Sequence, residues 1–186
     1  EEKAFAHLLR LIEENGRKMD TGILGARVIF HLLSRFGYSD LAFEMIVTPD
    51  FPSYGNWVKR GATSLWESFR EEDFDCGSFN HHFFGDISSW FIQWIAGIQY
   101  NNAFTRHGEV LIRPQFIAAL THAEGFHIAP EGRIESAWKR EGENVLLRVT
   151  VPEGITGKIA LDGGWKFEDG SAEKAAASGE YRICKI

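Results

Sequence analysis

Arg133-Ile134-Glu135-Ser136-Ala137-Trp138-Lys139 is followed, after Glu141-Gly142-Glu143-Asn144, by Val145-Leu146-Leu147-Arg148-Val149-Thr150-Val151. Ile134, Ser136 and Trp138 alternate with Arg133, Glu135, Ala137 and Lys139. Val145, Leu147, Val149 and Val151 alternate with Leu146, Arg148 and Thr150. Successive side chains of a strand point to opposite faces, so this period of two predicts two strands joined by a tight turn at 141–144. A third strand is predicted around Ile155, Ile159 and Leu161, after Pro152-Glu153-Gly154, and a last one at Tyr181 and Ile183. One wet face per strand and frequent glycine turns predict an antiparallel β-sandwich rather than a parallel sheet. The stretch 169–178 is the most loop-like.

Working back from that stretch, the period changes near Val110, and residues 1 to about 102 have helical spacing. Phe5, Leu8, Leu9 and Ile12 share one face of a first helix that stops at Asn15-Gly16. A second helix, over about 22–36, is apolar nearly all round, which predicts burial between neighbours. Ser39 is expected to cap a short third helix that ends at Thr48-Pro49, and another is expected over 53–59. The longest is predicted over 81–99, with the stripe Phe83, Ile87, Trp90, Phe91, Trp94, Ile95 and Ile98 and with Asn80 as its N-cap. The expected organisation is α+β in two parts, 1–102 helical hairpins and 103–186 sandwich, joined over 101–109.

Composition narrows the function classes. The chain has 186 residues, 44% of them hydrophobic and 25% charged, an ordinary globular balance. A net charge of -6 argues against nucleic acid as a partner, because that surface calls for a basic face. No apolar run reaches the length of a membrane span. The two cysteines, Cys76 and Cys184, make no disulfide framework, have no metal-ligand spacing and leave the compartment open. His122 and His127 have no Asp, Glu or Cys partner at ligand spacing, so no metal is expected. The chain begins at Glu1 without Met, and the apolar face of its first helix needs a partner; the expectation is a piece of a longer polypeptide.

The chemistry-bearing stretch is Gly61-Ala62-Thr63-Ser64-Leu65-Trp66-Glu67, with Ser78-Phe79-Asn80-His81-His82 beyond it. A carboxylate beside an indole, followed by imidazoles, suits a sugar pocket: the ring wall takes a C–H face, the carboxylate handles a proton and the imidazole holds a hydroxyl. Tyr54 and Trp57 are either rim packing or an outer sugar subsite. Trp90 and Trp94 read as core. Trp138 and Trp165 read as packing, with a carbohydrate platform as the alternative. Asp20 reads as a helix cap, Asp75 as turn chemistry and Cys76 as a free cysteine. On residue chemistry alone, Glu67 is a solvated loop carboxylate.

Several phrases in order change that weighting: Asp20-Thr21-Gly22-Ile23-Leu24-Gly25, Gly37-Tyr38-Ser39-Asp40-Leu41-Ala42, Pro52-Ser53-Tyr54-Gly55, the Trp66-Glu67 phrase, Ser78-Phe79-Asn80-His81, Ala96-Gly97-Ile98 and Ile112-Arg113-Pro114. Together they resemble the inverting α-L-rhamnosidases of glycoside hydrolase family 78. The resemblance implies the last helices of an (α/α)6 barrel followed by a C-terminal sandwich, and hydrolysis of a rhamnose-containing glycoside without a cofactor. It implies Glu67 as general base, His81 as a substrate contact and Trp66 as a wall of the site. Ser64 stands where the family usually has a second Thr, and Ser68-Phe69 where it often has Arg-Trp. The family's general acid lies upstream of anything matched here, so the chain alone is expected to be inactive. Its partner is then the remainder of the barrel or a second copy of the chain. The alternative reading is a carbohydrate-binding or purely structural piece.

Overall fold

The computed structural model describes residues 1–69 and 77–186; Asp75 and Cys76 lie outside the described residues. The chain divides into two compact units, Glu1–Ile87 and Ser88–Ile186. No helix among the described residues is long and apolar enough to cross a membrane.

The first unit is helical. α1 (Glu2–Glu14) buries Phe5 and Ile12, and Phe5 stacks on Phe36 with ring centroids 4.0 Å apart. It ends at Asn15, and the left-handed Gly16 turns the chain away. α2 (Ile23–Arg35) buries Ala26, Ile29, Phe30 and Leu33, but Leu24 is 77% exposed and Val28 57%. The expected all-round burial is therefore half met: α3 covers one side of α2, and the opposite side faces outward in this unit. α3 (Ser39–Val47) has Tyr38, not Ser39, at its cap position; Ser39 is the first helical residue and is buried. α4 (Tyr54–Lys59) begins as expected, with the Ser53 hydroxyl accepting the Asn56 N–H at 2.8 Å.

The long helix expected over 81–99 is replaced by three pieces: α5 (Asp86–Trp90), a π-helical turn (Phe91–Ile95) and strand β1 (Ile98–Tyr100). The stripe is real in its middle, where Ile87, Trp90, Trp94 and Ile95 are buried. Its ends fail because their backbone groups are taken elsewhere. The His81 N–H donates to Leu65 O at 2.8 Å instead of starting a helix, so Asn80 caps nothing. At the other end Gly97 has φ +80°, its carbonyl accepts the Arg113 N–H at 2.8 Å, and an added Cβ would collide with the backbone of Arg113 and Pro114. Ile98 therefore enters a sheet.

The second unit holds two sheets. One has the order β1-β2-β6-β8, with β2 (Glu109–Ile112), β6 (Thr156–Ala160) and β8 (Glu173–Ala175). The other has the order β3-β4-β5-β9-β7, with β3 (His122–Ala129), β4 (Gly132–Glu141), β5 (Asn144–Thr150), β7 (Trp165–Phe167) and β9 (Gly179–Lys185). The stretch that set the fold forms the β4–β5 hairpin, with Glu141 opposite Asn144 and Gly142 at φ +66° in its first central position. Ile134, Ser136 and Trp138 point inward with Val145, Leu147 and Val149, as the alternation predicts.

One pair departs from the antiparallel expectation. β2 and β6 run parallel, with Val110 opposite Gly157. The connection between them contains β3, β4 and β5 of the other sheet, so the chain returns from the far end rather than through a hairpin. Gly157, at φ +138°, lets the Val110 carbonyl approach where a Cβ would stand. β1 lies against β3 and β4, and the Trp138 indole N–H donates to Ile95 O at 2.8 Å. That bond ties the π-helical turn to the sheets.

Candidate active site

The segments 64–67 and 78–81 lie side by side as a short two-rung clamp. The Glu67 N–H donates to Ser78 O at 2.9 Å, and the His81 N–H donates to Leu65 O at 2.8 Å. The Ser64 hydroxyl adds a bond to Phe79 O, so Ser64 uses the oxygen that Thr would also have supplied. The rungs bring Trp66, Glu67 and His81 together from positions 14 residues apart in sequence (81 − 67 = 14).

Glu67 is half-buried, and its Oε2 accepts the backbone N–H of Ser78 at 2.9 Å. Among the described residues, Oε1 has no hydrogen-bond donor. Trp66 is buried; its ring meets Phe79 edge-on at 5.0 Å and Trp57 at 5.8 Å, and the Arg60 guanidinium lies 5.0 Å from its centroid. His81 is half-buried and stacks parallel to His82 at 5.3 Å. Its Nδ1 accepts the Phe83 N–H at 3.3 Å. An accepting Nδ1 carries no proton, so the neutral ring presents Nε2–H, a donor suited to a hydroxyl or ring oxygen.

Trp57 meets Trp66 of this clamp at 5.8 Å, and Tyr54 meets Trp57 in turn. Tyr54 meets Trp57, Phe69 and Phe84 edge-on, and Trp57 stacks on Phe69 at 4.1 Å. The Tyr54 hydroxyl donates to the Phe84 carbonyl at 3.0 Å. Burial first, and the charge of Asp86 second, hold that hydroxyl above the ordinary phenol range. Both side chains are buried within this aromatic cluster. Asp20, expected to cap α2, is exposed; the cap position belongs to Gly22, with no side-chain bond.

Three features carry no signal in the sequence. Asp86 pairs with His31 Nε2 at 3.0 Å across 55 residues. Ile23, Leu24, Arg27, His82, Phe83 and Asp86 line a cleft of about 460 Å³. Gly77, at φ +77°, leaves the space where its Cβ would overlap the Glu67 carboxylate. In the second unit, Trp138 is buried, and Trp165 is half-buried between Phe116 and Arg140. Cys184 is a free, half-buried cysteine, and no cluster of metal-ligating side chains occurs among the described residues.

Residues 1–95 match the bacterial alpha-L-rhamnosidase 6 hairpin glycosidase domain, and residues 102–175 match the bacterial alpha-L-rhamnosidase C-terminal domain. The chain belongs to the bacterial alpha-L-rhamnosidase family. An alpha-L-rhamnosidase of Streptomyces avermitilis is 27% identical over 97% of this chain and 19% of its own length, and one of Alteromonas sp. is 30% identical over 84% and 18%. The crystal structure of the Streptomyces avermitilis enzyme complexed with L-rhamnose superposes with a TM-score of 0.79 over 95% of this chain and 19% of that chain, at 27% identity. An alpha-L-rhamnosidase from Dictyoglumus thermophilum, at 23% identity, shares the fold with a TM-score of 0.80 over 95% of this chain and 22% of that chain. This rhamnosidase-family chain thus spans about a fifth of the length of the relatives it matches.

Proposed function

We propose that the chain acts as the C-terminal part of an inverting α-L-rhamnosidase and supplies one side of its active site. Its substrate is a rhamnose-containing glycoside, the kind of sugar that the Streptomyces avermitilis relative holds in its crystal structure. Glu67 is the general base: its carboxylate removes a proton from the water that attacks the anomeric carbon. Inversion needs a second carboxyl group about 6.5–9.5 Å away to protonate the leaving oxygen. That acid is supplied by chain outside these 186 residues. Trp66 walls the site, and His81 donates Nε2–H to a sugar hydroxyl. No cofactor takes part. The division assigns 1–102 to the barrel and 103–186 to the sandwich, with the family matches ending at 95 and resuming at 102 in its support.

One observation carries this reading. The Glu67 carboxylate is anchored through Oε2 while Oε1 receives no donor from the described residues, on the same clamp that presents His81. A base must be held and still have one oxygen for water. In the complete enzyme, Glu67→Gln is expected to lower kcat on a rhamnoside by about 10²–10⁴-fold with a small change in KM. Turnover within a few-fold of wild type would overturn the assignment.

A further inference from the structure

The proposed base is not held by its own side chain's packing alone. It is half-buried, and the group that fixes its carboxylate is a main-chain amide, the Ser78 N–H at 2.9 Å from Oε2. That amide points at the carboxylate because the preceding residue, Gly77, is left-handed at φ +77°, a conformation that L side chains rarely adopt. Gly77 does a second thing. A Cβ built on its backbone would overlap both Oε2 and Cδ of Glu67, so the carboxylate occupies the space that glycine leaves empty. The clamp is closed by the reciprocal bond, the Glu67 N–H to Ser78 O at 2.9 Å.

We infer that Gly77 and the Ser78 amide are the positioning residues of Glu67, setting the carboxylate rotamer that leaves Oε1 to the attacking water. The inference rests on Glu67 being the base. A side chain at 77 would push the carboxylate out of its place on the amide. The carbon chain of Glu67 is flexible, so the displacement falls on the reacting oxygen rather than on the fold. A displacement of about 1 Å at a reacting group is enough to cost about 10²-fold in rate.

The test is a double-mutant cycle in the complete rhamnosidase that contains this region, assayed on an activated aryl rhamnoside. Gly77→Ala adds both the Cβ and left-handed strain. Gly77→Asn adds the Cβ in a residue that tolerates left-handed backbone, so it carries the test if the alanine variant does not fold. Both are expected to lower kcat by about 10²-fold with KM changed less than about two-fold. In a Glu67→Gln background the same changes are expected to lower the residual kcat by less than about two-fold. An asparagine variant with wild-type kcat, or an equal loss in both backgrounds, overturns the positioning role while leaving Glu67 as base. A Glu67→Gln enzyme close to wild type instead removes the base and the positioning role together.

Discussion

At the scale of single residues, the aromatic base of the site separates support from contact. Tyr54 is enclosed by Trp57, Phe69 and Phe84, and its hydroxyl is spent on the Phe84 carbonyl at 3.0 Å. Tyr54→Phe keeps the ring and leaves that buried carbonyl without its donor, so a loss of about 1–2 kcal/mol in stability is expected by denaturant titration. The same variant is expected to leave KM for a rhamnoside within about two-fold. A KM raised ten-fold at unchanged stability would restore Tyr54 to the sugar. Glu67 and His81 stand out as candidates in their phrases, and the clamp brings those two phrases side by side. Gly77 carries no such signal: only its position against the Glu67 carboxylate shows why no larger residue fits. The His31–Asp86 pair was equally invisible, since two residues 55 apart carry no local pattern.

At the scale of elements, periodicity was a good guide where a segment's backbone is bonded within the element and a poor one where it is not. α1 and the β4–β5 hairpin follow their apolar patterns closely, while α2 follows its pattern on one side. The stripe over 81–99 had the right period, yet its first N–H groups serve the clamp and its last residues serve a sheet. The parallel β2–β6 pair depends on a return path through another sheet, which no window of sequence contains. The sheet region also carries the pH dependence that the structure supports. Asp169 is held below the ordinary carboxylate range by hydrogen bonds from Lys174 and Ser171, and Glu180 by hydrogen bonding to Arg148 and its charge. A carboxyl depressed in the folded state contributes stability above its unfolded pKa and loses it as pH falls through the folded one. Unfolding free energy is therefore expected to drop as pH falls below about 4. In an Asp169→Asn, Glu180→Gln double variant that slope is expected to be shallower. Both groups are exposed, so the difference is expected to shrink in high salt. Parallel slopes for variant and wild type at low salt would contradict this.

At the scale of the whole molecule, the outward side of α2 bears on what the chain lacks. Leu24 and Val28 are a helical turn apart, both more than half exposed, and Leu24 lines the same cleft as Phe83, which is 40% exposed. Apolar side chains left outward on a helix of a family member spanning a fifth of its relatives are accounted for if further helices of the barrel cover them. The proposed chemistry has the same shape. A base without an acid activates water but cannot protonate the leaving oxygen, so the reaction stalls at the glycosidic bond. The isolated 186-residue chain is accordingly expected to release no rhamnose above background from an aryl rhamnoside. A purified preparation of the rest of the polypeptide, holding the acid and lacking Glu67, is expected to be equally inert. Mixing the two is expected to restore turnover if the apolar side of α2 finds its barrel neighbours. Leu24→Gln with Val28→Gln in the added chain is expected to reduce that restoration, and a Glu67→Gln chain to abolish it while still assembling, as sedimentation of the mixture would show. Rhamnose release from the isolated chain, free of contaminating enzyme and lost on Glu67→Gln, would mean that these residues contain both carboxyl groups, and the division of the site between two parts of the barrel would be wrong.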